Sequence, residues 1–156
     1  MNVFDISNFI LGYCKRNNIS DCSNKKLLKL LYYVYCWELV LFNKNILEKE
    51  YFEAWLHGPV IATIYEKYRN YGANCIDYEE EYKATRDKNI DKETQEQIET
   101  ILKIYTTLTA QQLENKTHQE EPWLKARMRE DKIMAVEDIQ EYYTKIWNKN
   151  NPDKQI

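Results

Sequence analysis

At 156 residues the chain is about one domain long, and a domain of that size buries roughly 70% of the surface its unfolded form exposes, so its core needs no staple. Its 44% hydrophobic and 30% charged residues exclude a disordered tail or a fibrous chain. A net charge of −3 without a strongly basic segment makes nucleic acid a poor partner, and three glycines are too few for the phosphate-cradling loops of ATPases and dehydrogenases.

Phe4, Phe9, Ile10, Tyr13 and Cys14 mark the apolar face of a first helix, with Asp5 and Ser7 as capping candidates and its end near Asn17 and Asn18. Ser23 is the expected N-cap of a second helix, about 23–42, whose apolar residues lie all round it from Leu30 to Trp37. Such a helix is surrounded by other elements and forms the hub of a core. Lys29 and Glu38 interrupt its apolar stretch, and positions 27–42 fall short of the roughly twenty that a membrane helix needs, so no membrane is expected. No basic segment precedes an apolar run at the N-terminus, which points to the cytoplasm. Cys14, Cys22, Cys36 and Cys75 lack Cys-x-x-Cys spacing, so free thiols are expected, with no metal and no other cofactor.

Residues 52–60, Phe-Glu-Ala-Trp-Leu-His-Gly-Pro-Val, pack several signals into nine positions. Alternation predicts a strand over 51–57, which Gly58-Pro59 ends, and Val60, Ile61, Ile64, Tyr65 and Tyr68 then recur at helical spacing. A lone strand cannot satisfy its backbone, and 74–82 is the candidate partner strand. Residues 83–93 read as a charged loop before a peripheral fourth helix that starts near Asp91 and buries Ile98, Ile101, Leu102 and Tyr105. Thr109 and Gln112 have capping-box form for a short helix over 110–116 with Leu113 facing inward. Pro122 starts another helical turn. Val136, Ile139, Tyr142, Tyr143, Ile146 and Trp147 line a final helix, and 148–156 read as a flexible tail. The fold class is α+β, mainly α: one compact helical domain over 1–147, around the central helix, with a small antiparallel sheet.

His118 beside Glu120 and Glu121 invites an acid–base reading, but neighbours on an irregular segment need not converge, and no nucleophile elbow accompanies them. Backbone bonding at a helix end is the favoured role for His118, and a strand-end hydrogen bond for His57. Trp55 and Trp123 could each be core or exposed anchor, with core favoured, and either indole N–H could tie a loop to the helical body. Thirteen tyrosines fit a recognition surface, though the abundance of lysine, asparagine and isoleucine points to AT-rich codons as the duller cause.

Three segments carry a resemblance to the Panacea, or SocA-like, antitoxin domain of bacteria and their mobile elements. They are Leu27-Leu28-Lys29-Leu30-Leu31-Tyr32, the 52–60 stretch followed by Tyr65, and Thr117-His118 followed by Pro122-Trp123 and Ala126-Arg127. Order and spacing match from about Val3 to Trp147, although Ala62 and Met128 stand where that family often has proline and glycine. The resemblance implies an antitoxin that binds and blocks a toxin encoded by an adjacent gene, with a cytosolic AAA+ protease as a further partner in one member type. Trp55, His57, Gly58, Pro59, Tyr65, His118, Trp123 and Arg127 are the candidate partner-binding residues, in a chain expected to act without catalysis. The alternative is a proteolytic adaptor or phage-associated regulator that inhibits nothing itself, and a third reading is a hydrolase using His118 and Glu121.

Overall fold

The computed structural model describes residues 1–77 and 89–156. Helix α1 spans Val3–Arg16 and is capped by Asn2, whose side chain accepts the Phe4 N–H at 2.7 Å. Asp5 and Ser7 therefore fall inside the helix. Asp5 keeps a role there, since a carboxylate in the first turn complements the helix dipole. Helix α2 spans Asn24–Phe42 with Ser23 as its cap, and Asn43 ends it in the left-handed conformation at φ 53°. Every residue from Lys26 to Cys36 is buried, and α1, the sheet and most later helices pack around α2, which makes it the hub that its all-round apolar character predicts.

The sheet corrects one expectation. Gly58-Pro59 does not end the strand pairing and lead into a helix: strand β1, Glu53–Trp55, turns at Leu56-His57 and pairs antiparallel with β2, Gly58–Val60, in the register Glu53↔Val60, Ala54↔Pro59, Trp55↔Gly58. On its other edge β1 meets a single bridge, Glu53↔Ile133, where Ala54 N–H donates to Lys132 O at 2.8 Å and Met134 N–H to Phe52 O at 2.9 Å. The predicted partner over 74–82 is not that strand. Its residues 74–77 carry no ladder, and 78–82 lie outside the described residues, as do 83–88 of the predicted loop. Proline is tolerated at 59 because Ala54 sends its N–H to Lys132, so Ala54 and Pro59 face each other as a non-hydrogen-bonded pair.

Helix α3, Ala62–Tyr68, runs into a 3-10 turn at Arg69–Tyr71. Helix α4, Lys92–Tyr105, is capped by Asp91 and is less peripheral than its narrow stripe suggests: it lies along α2, with Tyr105 stacked on Tyr33 at 4.3 Å. Helix α5, Ala110–His118, has both halves of the Thr109–Gln112 capping box, and α6, Glu121–Arg127, carries Pro122 in its first turn. Helix α7, Val136–Asn150, extends past Trp147, whose indole N–H donates back to Lys154 O at 2.7 Å. With seven helices and a two-stranded antiparallel sheet among the described residues, the domain is mainly α with a little β. None of these helices is long and apolar enough to cross a membrane.

Candidate partner-binding site

Three sequence segments far apart in the chain meet at the hairpin. Lys29 on α2 is almost completely buried and points its ammonium at the Pro59 carbonyl, 3.3 Å away. Burial pushes the Lys29 pKa down to about 7, Lys25 adds to the drop, and Glu114 opposes it. Gly58 has a φ of +107°, and a methyl group built on it would overlap Lys29 Cε and sit 3.0 Å from Thr117 Oγ1. Glycine is required there by conformation, and an added methyl would also have to displace the end of the Lys29 side chain.

From the other side, α6 grips β1. Trp123 Nε1 donates to Trp55 O at 2.9 Å, and Arg127 donates to Ala54 O at 2.8 Å. The Trp123 ring in turn stacks on His118, 4.2 Å between centroids. Both tryptophans are half-buried, and Trp55 donates its own indole N–H to Glu53 at 2.7 Å.

Over this frame lies a cleft of ≈ 760 Å³ between the start of α2, the hairpin, α3 and the segment after α6. Trp55, His57, Tyr65 and Arg127, all candidates from sequence, line it. Tyr65 packs edge-on against Trp55 at 4.9 Å. Gly58 and Pro59 are buried and hold the hairpin's shape, whereas His118 and Trp123 support it from the α6 side and do not line the cleft. Sequence reasoning missed Leu56, which is 69% exposed and lines the cleft. Strand alternation put it inward, but Leu56 sits in the turn, where alternation does not apply. Lys132, which also lines the cleft, had no signal because its place depends on the bridge to a segment about eighty residues from β1.

The lining is basic overall: Lys25, Lys29, Arg69, Arg127 and Lys132 against Glu53 and Asp131, in a chain whose net charge is −3. His57 is 79% exposed at the turn and makes the expected strand-end hydrogen bond, to a side chain of the neighbouring helix. Its Nδ1 lies 2.8 Å from Glu114 Oε1, the oxygen that also meets Lys25 at 3.0 Å. Burial works against the Glu114 charge, but bonds from Lys25, Gln111 and His57 hold its carboxyl below the usual carboxylate range.

The residues around His118 do not assemble into an acid–base site. Glu120 turns into the core, where Tyr33 and Tyr143 each donate to its Oε1 at 2.8 Å, while Glu121 stays at the surface near Lys125. His118 is held by its stacking on Trp123, and its Nε2 finds no hydrogen-bond partner among the described residues, so the expected backbone bond is replaced by a ring contact. Among the described residues no three His, Cys, Asp or Glu side chains gather to hold a metal ion.

A protein-family model described as antitoxin SocA-like, Panacea domain, matches residues 27–124, well over half of the chain. The match opens at the Lys29 segment, includes the hairpin, and closes one residue beyond Trp123. No curated protein and no solved structure matches the chain.

Proposed function

The chain belongs to the antitoxin SocA-like, Panacea-domain family, and from that premise we propose that it binds a protein toxin directly and blocks it by occlusion, with the hairpin cleft as contact surface. Family membership carries this reading. The geometry supports it with a basic cleft whose wall presents Trp55, Tyr65 and the exposed Leu56. A specific interface buries about 800 Å² per partner and concentrates its energy in a few aromatic, arginine or apolar anchors, which is what the cleft offers. The protein acts by binding and not by catalysis, in the cytoplasm, on a toxin encoded by an adjacent gene.

Co-expression with each neighbouring open reading frame, scored for growth and then for co-purification, tests this. Rescue with a stable complex that dissociates when Leu56 is replaced by Asp is the expected result. Rescue that requires a cytosolic AAA+ protease and yields no stable pair would replace occlusion by the adaptor reading, and the absence of any toxic neighbour would remove the antitoxin role.

A further inference from the structure

Three of the four cysteines share one cavity on the side of the molecule formed by α1. Cys14 lies in the last turns of α1, Cys22 in the loop before α2, and Cys75 in the segment after the 3-10 turn. All three line a cavity of ≈ 420 Å³ together with Leu11, Ile19 and Ile76. Backbone bonds fix the two loops, Ile19 N–H to Cys14 O and Ile76 N–H to Cys22 O, both at 2.9 Å. Cys14 and Cys22 are 2% and 1% exposed, whereas Cys75 is open to solvent.

The two buried thiols are not equivalent. Contact with the Cys22 side chain draws the Cys14 thiol below its ordinary value against the effect of burial, and the Lys26 charge assists. The same contact and burial push Cys22 well above its ordinary value. Lys26 is 1% exposed and anchored by Asp21 at 2.7 Å and the Thr106 carbonyl at 2.9 Å. Of the two, Cys14 has the surroundings that favour the thiolate.

We propose that Cys14 and Cys22 are an oxidation site for small hydroperoxides, with the cavity as the reagent's entry. The Cys14 sulfur attacks a peroxide oxygen, the O–O bond breaks, and the departing hydroxide takes the proton lost by Cys14 to leave as water. Cys14 is then a sulfenic acid. Cys22 attacks that sulfur, the S–S bond forms, the S–O bond breaks, and a second water leaves with the Cys22 proton. The thiols lose two electrons and hydrogen peroxide gains them. The resulting bridge closes the loop between α1 and α2 without involving the hairpin cleft.

The reduced full-length protein, titrated with hydrogen peroxide and then alkylated under denaturing conditions, settles this by mass spectrometry. A Cys14–Cys22 crosslink is expected, with Cys36, buried in the core away from the cavity, recovered alkylated as the internal control. Cys75→Ser keeps the crosslink, and Cys22→Ser leaves a dimedone-trappable sulfenic acid on Cys14. Cys14→Ser slows peroxide consumption by about tenfold or more, the loss expected when the favoured thiolate is removed. Recovery of both Cys14 and Cys22 as alkylated thiols, pairing of either with Cys75, or oxidation confined to Cys75 overturns the proposal.

Discussion

Lys29 lies directly beneath Gly58: the space that a β-carbon at Gly58 would need is filled by the Lys29 side chain, with Nζ 3.2 Å from that point. Gly58→Ala is therefore expected to destabilise the domain by roughly 2–4 kcal/mol, from the positive φ together with a clash in a filled core. Gly72 supplies the control, since it also has a positive φ, 58°, but nothing within 4 Å of its added methyl. Gly72→Ala should cost about 1–3 kcal/mol from its backbone alone. Urea denaturation of both variants decides whether the lysine contact adds to the backbone term, and equal losses would show that it does not.

The same lysine gives stability a pH dependence. Its folded pKa of about 7 is below the ordinary 10.5, so above pH 7 the unfolded chain binds a proton that the native state has released. Stability from this group is lowest below pH 7 and rises with pH, by at most about 1.4 kcal/mol per unit. Between about pH 7 and 8.5, before cysteine and tyrosine titrations intrude, Lys29→Met should flatten that rise relative to the parent protein. A variant with the parent's slope would assign it elsewhere.

Glu38 works in the opposite direction. It is fully buried, neither carboxylate oxygen has a hydrogen-bond partner among the described residues, and burial raises its pKa to about 7 from 4.5, against the pull of Lys44. The native state holds a proton here that the unfolded chain releases between pH 4.5 and 7, so stability falls as pH rises through that window. Glu38→Gln should be close to neutral at pH 4 and stabilising by roughly 1–3 kcal/mol at pH 8, read as a shift in denaturation midpoint.

The Trp123 and Arg127 bonds to the Trp55 and Ala54 carbonyls make these residues braces for the hairpin. Trp123→Phe keeps most of the packing but leaves a carbonyl unpaired, which should cost about 1 kcal/mol of stability. If the cleft receives a toxin, the toxin affinity of the folded Trp123→Phe protein should stay within about threefold of the parent, because the indole does not line the cleft. A loss of more than tenfold with unchanged stability would instead make Trp123 a contact residue.

Where structure follows from neighbouring residues, it was legible in the chain. The Ser23 cap, the Thr109–Gln112 capping box and the inward stripe of α4 each depend on residues within one or two helical turns. The first strand and a small antiparallel sheet were legible, but the strand's partners were not, because they obey no local rule. Proline at 59 argues against a strand until Ala54 is seen to bond Lys132, and that bond depends on a segment with no strand pattern of its own. The same gap hid the cleft. Its walls come from α2, the hairpin, α3 and residues 127–132, so Trp55 and Tyr65 could be named from their motif while Leu56 and Lys132 could not.

Leu56 now offers the sharpest separation of binding from folding. It is 69% exposed, so Leu56→Asp removes little buried area and should change stability by no more than about 0.5 kcal/mol. If the cleft receives the toxin, an introduced carboxylate must be desolvated where an apolar anchor sat, and affinity should fall at least about tenfold, by calorimetry on the purified pair. Arg69→Glu, across the same cleft, should slow association more at low salt than at high salt, since an exposed charge acts mainly on encounter. Full affinity in Leu56→Asp, with no salt-dependent effect of Arg69→Glu, would move the interface to another face while leaving the family assignment and the hairpin architecture intact.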